Sequence, residues 1–387
     1  MVFFSAITWI CIIVLAYHYV GYPLIVYVMS RLMPHVNHRE PIQPRVSLIV
    51  SAYDEEAVIS QKIDNTMALD YPRDLLEVIV VTDGSSDATV EIVAGYQKQG
   101  VILLHKPERG GKSAAINRAA DKATGEILIF SDANAFYRNN VLRKLLRNFS
   151  DQSIGCVSGK KTILPTAATV TESENKYWKY ESFIKTCESR LGTTTAVVGE
   201  MIAIRRKVFS PIPSGIINDD AYLALHALRN GYRVIYEPEA VCWETSAQSM
   251  RDEVVRRRRI NAGRFQLFFR ISLWPWNQPF AMFSLISHKY LRLLLPALMF
   301  GALMGNIGYV ILAQEPGLLK WVLFCQAFLY ILAMIGWLGE RYQQRWKIPA
   351  LAYYVVRASL TPMEGFWGFI RRTQTTLWEK VNRGNPA

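Results

Sequence analysis

Three long stretches without charge decide what this chain can fold into. Met1 to Ser30 contains no Lys, Arg, Asp or Glu, and neither does 293–313 or 321–339. A helix needs about 20 apolar residues to cross the hydrocarbon core of a bilayer, so all three runs are long enough. A buried core helix would explain one such run. Three of them, flanking a polar middle, predict membrane spans. The first run lacks a basic start and is too long for the apolar part of a secretory signal. Arg31, His35, His38, Arg39 and Arg45 follow it, and no charged side chain precedes it. The positive-inside tendency then places the N-terminus outside and the following residues in the cytoplasm, as an integral protein of the plasma (inner) membrane. The second and third runs form a hairpin that brings Arg341 and Lys347 back to the cytoplasmic side.

The formal net charge is +12. Its basic residues cluster beside the apolar runs and at Arg256–Arg259. That placement suits lipid headgroups and a phosphate-bearing substrate, and no nucleic-acid partner is expected. The five cysteines are scattered, without metal-like spacing, as in a reduced cytoplasmic domain.

Between the spans the pattern changes. "RVSLIVSAY" (45–53), "EVIVVTDGSSD" (77–87, ending in a turn), "VILLH" (101–105) and "EILIFSDAN" (126–134) read as buried strands. Helical patterns at 55–69, 87–100 and 112–123 separate them. This alternation predicts a parallel α/β sheet covered on both faces. Ligands bind such sheets at the C-terminal strand ends. Here those ends carry Asp54, Glu55 and Glu56, then Asp83, then Asp132. The turn "ERGGKS" (108–113) resembles the end of an ATPase phosphate loop, but the first glycine of that pattern is replaced by Lys106. A lysine behind two glycines, beside several carboxylates, still suits a nucleotide site. Ser86 and Asp87 are read as helix caps.

The ordered set "SAYDEE" (51–56), "VTDGSSD" (81–87), "GGKSAAIN" (110–117), "FSDAN" (130–134), "INDD" (217–220) and "RRRRINAGR" (256–264) resembles the inverting glycosyltransferases of family 2. It is most similar to the membrane-integrated branch that contains cellulose, chitin, hyaluronan and poly-N-acetylglucosamine synthases. The resemblance implies a GT-A domain, Rossmann-like, over residues 41–264. A transmembrane helix and linker (1–40) would precede it, and interfacial and transmembrane helices (265–387) would follow.

The resemblance also implies roles. Tyr53, Glu55 and Asp83 would hold uracil and ribose, and Lys112 would lie near the diphosphate. Asp132 and Asn134 stand at the family's D-x-D, where Mg²⁺ or Mn²⁺ would bind; Asn134 brings an amide oxygen where the family has a carboxylate. Asp220 stands at the general base with Asp219 beside it, and Asn218 or Asp219 is expected to cap the helix that starts there. Arg256 and Arg259 occupy two places of the family's Q-x-x-R-W signature and would face the diphosphate, while Arg257 and Arg258 are read as a basic membrane-facing surface. Gly199 and Glu200 stand at an acceptor-side loop. Trp178 is the candidate for stacking on an acceptor sugar, although its segment (174–192) reads equally as an amphipathic packing helix.

The implied partners are a UDP-sugar donor, a glycan or lipid-linked acceptor, membrane lipids and other subunits of polysaccharide synthesis or export. The expected activity is β-linked sugar transfer to a growing polysaccharide. Single-sugar transfer to a lipid-linked acceptor and a non-catalytic membrane scaffold are the alternatives. Trp274 and Trp276 suit the membrane interface. The tail 348–370 is long enough to span, but Arg357 and Glu364 favour an interfacial or re-entrant course unless they pair.

Overall fold

A computed structural model describes residues 1–164, 170–245, 250–315, 317–342, 344 and 346–372. Two helices, α1 (Val2–Ala16) and α2 (Tyr22–Leu32), continue through a π-helical turn at Tyr17–Gly21. Together they make one apolar rod from Val2 to Leu32, long enough to cross a membrane. The chain then enters the α/β domain.

Its first half alternates as the apolar runs require: β1 (Val46–Ala52), α3 (Ile59–Met67), β2 (Leu76–Asp83), α4 (Thr89–Gly95), β3 (Val101–Lys106), α5 (Lys112–Lys122) and β4 (Ile127–Asp132). The second half is β5 (Phe136–Tyr137), α6 (Val141–Leu146), β6 (Ile154–Leu164), α7 (Val170–Arg190), β7 (Ile202–Arg205), α8 (Asp219–Arg229), β8 (Arg233–Thr245) and α9 (Met250–Phe268). The eight strands form one sheet in the order β3-β2-β1-β4-β7-β6-β8-β5. Side chains alternate between its faces. From β1, Val46, Leu48 and Val50 join a core with α3 and α6, while Ile49 joins the opposite core with α5 and α8. Each fully buried aliphatic side chain of this kind stabilises the fold by about 1.5–3 kcal/mol.

The fully parallel sheet expected from the sequence is found across β3, β2, β1 and β4, and parallel pairing recurs between β6 and β8, but the sheet as a whole is mixed. β7 runs antiparallel to both β4 and β6, and β5 runs antiparallel to β8. Parallel pairing requires a helical crossover over the sheet. That pattern ends at β4: three residues separate it from β5, and the helix before β7, α7, packs on α2 as well as on the sheet.

Beyond α9 the chain returns to apolar helices: α10 (Pro279–Ser284), α11 (Leu295–Leu312), α12 (Gly317–Arg341) and α13 (Lys347–Ile370). The continuous segment Pro279–Leu312 and α12 are, with Val2–Leu32, the three helices long and apolar enough to cross a membrane among the described residues. α11 packs on α1. Trp274 and Trp276 stack at 5.4 Å between ring centres just before α10. α13 packs along both α9 and α12, with Arg357 and Glu364 paired at 2.6 Å, the condition that makes such charges tolerable at a membrane. The close approach of α13 depends on Gly365, where a Cβ would lie 2.6 Å from the Cβ of Asn261 and 3.0 Å from the Ala262 amide nitrogen of α9.

Candidate active site

The ends of β1 and β2 are locked together. Asp54 adopts a left-handed conformation (φ 51°), and its Oδ1 accepts the Ser86 N–H at 2.7 Å. The Glu55 N–H donates to Thr89 Oγ1 at 2.9 Å and the Glu56 N–H to Asp87 Oδ2 at 3.2 Å. These bonds hold 55 and 56 outside the helix, so α3 begins at Ile59 and not at 55 as the sequence pattern predicts. Asp87 accepts the Thr89 N–H at the start of α4, whereas the Ser86 side chain is drawn to Asp54. Beside this edge the Arg109 guanidinium lies over the Tyr53 ring at 3.8 Å, a cation–π contact that nothing in the sequence pattern marks.

Asp83 ends β2, and its carboxylate accepts the N–H groups of Gly110 (3.0 Å) and Gly111 (2.7 Å). Gly111 has φ +85°, a conformation that glycine adopts without the Cβ penalty. Asp83 thus builds the Gly-Gly turn that launches α5. Expected on the uracil or ribose, it is instead buried off the cavity wall.

One cavity of about 700 Å³ lies at the C-terminal ends of β1 and β4. Tyr53, Glu55, Lys112, Asp132, Asn134, Trp178, Asp219, Asp220, Arg256 and Arg259 all line it. Lys112, the first residue of α5, reaches Asp132 Oδ1 at 2.5 Å and Asp219 Oδ2 at 3.5 Å. Burial alone would lower its pKa, but the two carboxylates outweigh this and hold the ammonium charged.

Asp219 and Asp220 open α8. Neither Asn218 nor Asp219 caps it with a side chain, contrary to expectation: the Asn218 amide donates to the Ile260 carbonyl of α9 at 2.9 Å, tying the two helices. Asp220 Oδ1 accepts the Ala221 N–H at 2.7 Å. Burial, then the neighbouring Asp219 charge, push the Asp220 carboxyl up to about 7. A base with that pKa is half ionised near neutrality, the condition for accepting a proton from a hydroxyl. Gly199 leaves its near side open, since a Cβ there would touch Asp220 at 3.5 Å.

Asn134 donates its amide N–H to Glu244 Oε1 at 3.2 Å. Glu244 also pairs with buried Lys161, which in turn pairs with Glu200. With its nitrogen engaged, the oxygen of Asn134 is the atom left for another partner. The donor set here is one carboxylate and one amide oxygen, which suits a hard cation that takes its remaining ligands from water and substrate phosphates. Among the described residues no cluster of three or more His, Cys, Asp or Glu makes a complete protein cage for a metal.

The arginine run divides differently from its sequence reading. Arg256 is held by Glu174 (2.6 Å) and Glu253 (2.7 Å). Arg257 binds Glu253 (2.6 Å) and lies over the Tyr177 ring at 4.5 Å. Their charges are neutralised within the protein. Among the described residues Arg258 and Arg259 have no such partner, and Arg258 Nε is buried without a hydrogen bond. Both line the cavity. Arg258, expected on the membrane surface, thus lines the cavity beside Arg259, while Arg256, expected at the diphosphate, lines it with its charge engaged by two glutamates. Trp178 also lines the cavity, and its indole N–H is buried with no hydrogen-bond partner.

Residues 47–212 match the model for glycosyl transferase family 2. That stretch is similar to a family 2 glycosyltransferase domain. Across 306 residues it is 26% identical to the "probable glycosyltransferase YdaM" of Bacillus subtilis, covering 74% of this chain and 71% of that one. It is 24% identical over 204 residues to a poly-β-1,6-N-acetyl-D-glucosamine synthase of Staphylococcus aureus; that match covers 51% of this chain and about half (49%) of the synthase. In fold, it superposes on a mannosyltransferase from Pyrobaculum calidifontis, solved with GDP-mannose and Mn²⁺, with a TM-score of 0.74. The overlap covers 95% of this chain and 100% of the other at 24% identity. The chain thus has a GT-A-like fold, with three helices of membrane-spanning length among the described residues.

Proposed function

We propose that this glycosyltransferase is bound to the plasma (inner) membrane, with its catalytic domain on the cytoplasmic side and its N-terminus outside. It transfers a sugar from a UDP-sugar to a glycan acceptor with inversion, giving a β linkage, in the synthesis of a cell-surface polysaccharide. The observation that carries this reading is the place of Asp220: a half-buried carboxylate at the start of α8, on the wall of a cavity that also holds Lys112, Arg258 and Arg259, where burial and the Asp219 charge push its carboxyl up to about 7.

Glycosidases need a second carboxylic acid because their leaving group is a poor one. A nucleoside diphosphate leaves as a stabilised anion, so one base is enough. Asp220 takes the proton of the acceptor hydroxyl while that oxygen bonds to the anomeric carbon on the face opposite the diphosphate. The bond from carbon to diphosphate oxygen breaks, and Lys112, Arg258 and Arg259 offset the charge that develops on it. A single displacement turns an α-linked donor into a β-linked product. Asp132 and Asn134 would hold Mg²⁺ or Mn²⁺, which supplies further charge neutralisation to the leaving diphosphate. Tyr53 and Glu55 line the end of the cavity where the nucleoside would sit, and Trp178 offers a ring face to an acceptor sugar.

A lipid-linked acceptor receiving one sugar is the second reading. It is favoured because the cavity is also walled by Ala358, Thr361 and Pro362 of α13 and by Leu285 and Tyr290 of the second span. Nucleotide release from a panel of UDP-sugars, with GDP-mannose included, tests the donor. The anomeric configuration of the product, read by NMR coupling constants, tests inversion. Turnover with GDP-mannose alone would overturn the UDP assignment, and an α-linked product would overturn the single displacement.

A further inference from the structure

The cavity has a second charged end that donor chemistry does not use. There α7 contributes Tyr177, Trp178, Glu181 and Lys185, α9 contributes Arg264, and the start of the second span contributes Lys289 and Arg292. Four cations on this floor, Lys185, Arg264, Lys289 and Arg292, share one lining carboxylate. Glu181 binds Arg292 at 2.6 Å and Lys289 at 3.2 Å. Glu188, behind it, is occupied by His288, Tyr22 and Ser284. With Glu188 counted, four cations here stand against two carboxylates among the described residues that face them.

Lys185 is the sharpest case. It is 2% exposed and lines the cavity, yet among the described residues it has neither a carboxylate nor a hydrogen-bond acceptor. Its ammonium lies over the Tyr236 ring at 4.2 Å and near the Trp178 ring at 5.7 Å. Among the described residues Arg264 has only the Asn261 side-chain oxygen, at 2.9 Å. The unpartnered Trp178 N–H belongs to the same wall. A buried ammonium without a counter-ion is costly, so a site kept in this state suits an anionic ligand that enters it.

We propose that this floor binds the phosphate of a lipid-linked acceptor. The apolar side of the same space supports a lipid. Leu267, Leu285, Tyr290, Ala358 and Pro362 line it, and they belong to α9, the second span and α13. The outer face of α13 presents Val355, Met363 and Trp367 to its surroundings. A phosphate held by Lys185 and Arg264 would leave its alkyl chain beside these membrane helices and its polar end toward Asp220.

Two acceptors share this chemistry. In a lipid monophosphate, an ionised phosphate oxygen bonds to the anomeric carbon as the nucleoside diphosphate departs, and no proton has to move. In a lipid diphosphate that already carries a sugar, a hydroxyl of that sugar attacks and its proton passes to Asp220. The inference rests on the transferase reading and adds the acceptor class to it.

The test uses the full chain in nanodiscs and three probes: a polyprenyl monophosphate, a polyprenyl diphosphate bearing one sugar, and the uncharged polyprenol. Binding is read by quenching of tryptophan fluorescence, and transfer by lipid product. Either phosphate lipid should bind at least about tenfold more tightly than the polyprenol, the scale of one charge-assisted hydrogen bond. Lys185→Met, close in volume, should weaken phosphate-lipid binding by a similar factor, and Lys185→Arg should recover most of it. An acid-labile sugar phosphate identifies the first acceptor, and a lipid-linked disaccharide the second. Equal binding of polyprenol and phosphate lipids would overturn the proposal, as would unchanged binding in folded Lys185→Met, judged by its nucleotide affinity. If the lipids bind as expected but no donor is turned over, the transferase reading fails and the phosphate site stands.

Discussion

Asp220 and Lys112 illustrate how one buried cluster divides labour among like and unlike charges. Lys112 stands between Asp132 and Asp219 and offsets part of their charge, while the half-buried Asp220, next to Asp219, has its carboxyl pushed up to about 7. The ionised, proton-accepting form of Asp220 therefore accumulates as pH rises through its pKa. Turnover should climb across about pH 6 to 8 and fall about tenfold per unit on the acid side. A profile flat over that range would show that Asp220 is not the group whose ionisation limits the reaction. The arginines supply a second residue-scale prediction. Arg256→Ala breaks contacts with two buried glutamates and should cost about 2–3 kcal/mol of stability. Arg259→Ala should leave the melting temperature within a degree or two, consistent with about 0.5 kcal/mol or less at an unpaired position, and lower kcat/KM for the donor. Which arginines stay free could not be read from the run at 256–259, because Glu174, one of the groups that neutralise it, lies 82 residues away in the chain. The acids at 83, 132, 219 and 220 were legible because strand ends and helix starts are local patterns. Asp83 was legible as a strand-end carboxylate, but its bonds to the turn at Gly110–Gly111 were not.

At the scale of elements, the Asp83 contacts make β2 the support on which α5 starts. Asp83→Ala should unfasten that turn, cost about 1–3 kcal/mol for the orphaned amides, and raise the KM for the donor through misplaced Lys112. Circular-dichroism melts and donor titration check both parts. α13 poses a different requirement. Gly365→Val places a branched side chain against the α9 backbone and should push α13 away. It should lower the melting temperature and expose the cavity side of α9 to a water-soluble arginine reagent. The first four strands were legible from their apolar runs. The antiparallel β7 was not, since its four residues carry no signal for direction and only their pairing with β4 and β6 sets it.

The whole molecule joins a nucleotide-type sheet edge to a set of apolar helices, and the cavity runs from one to the other. The three helices of membrane-spanning length were plain in the sequence because length and lack of charge are both countable. The joint between spans and domain was not, because it is built from single contacts such as Tyr22 to Glu188 and Tyr180 to the Tyr19 carbonyl. The central claim is that this cavity performs sugar transfer with Asp220 as base. The most direct measurement is nucleotide release by the purified full chain, with its best donor and either Mg²⁺ or Mn²⁺, compared between wild type and Asp220→Asn. The account predicts a loss of about 10²–10⁴-fold in the variant, with nucleotide affinity retained. A variant that binds nucleotide and releases product at the wild-type rate would contradict it.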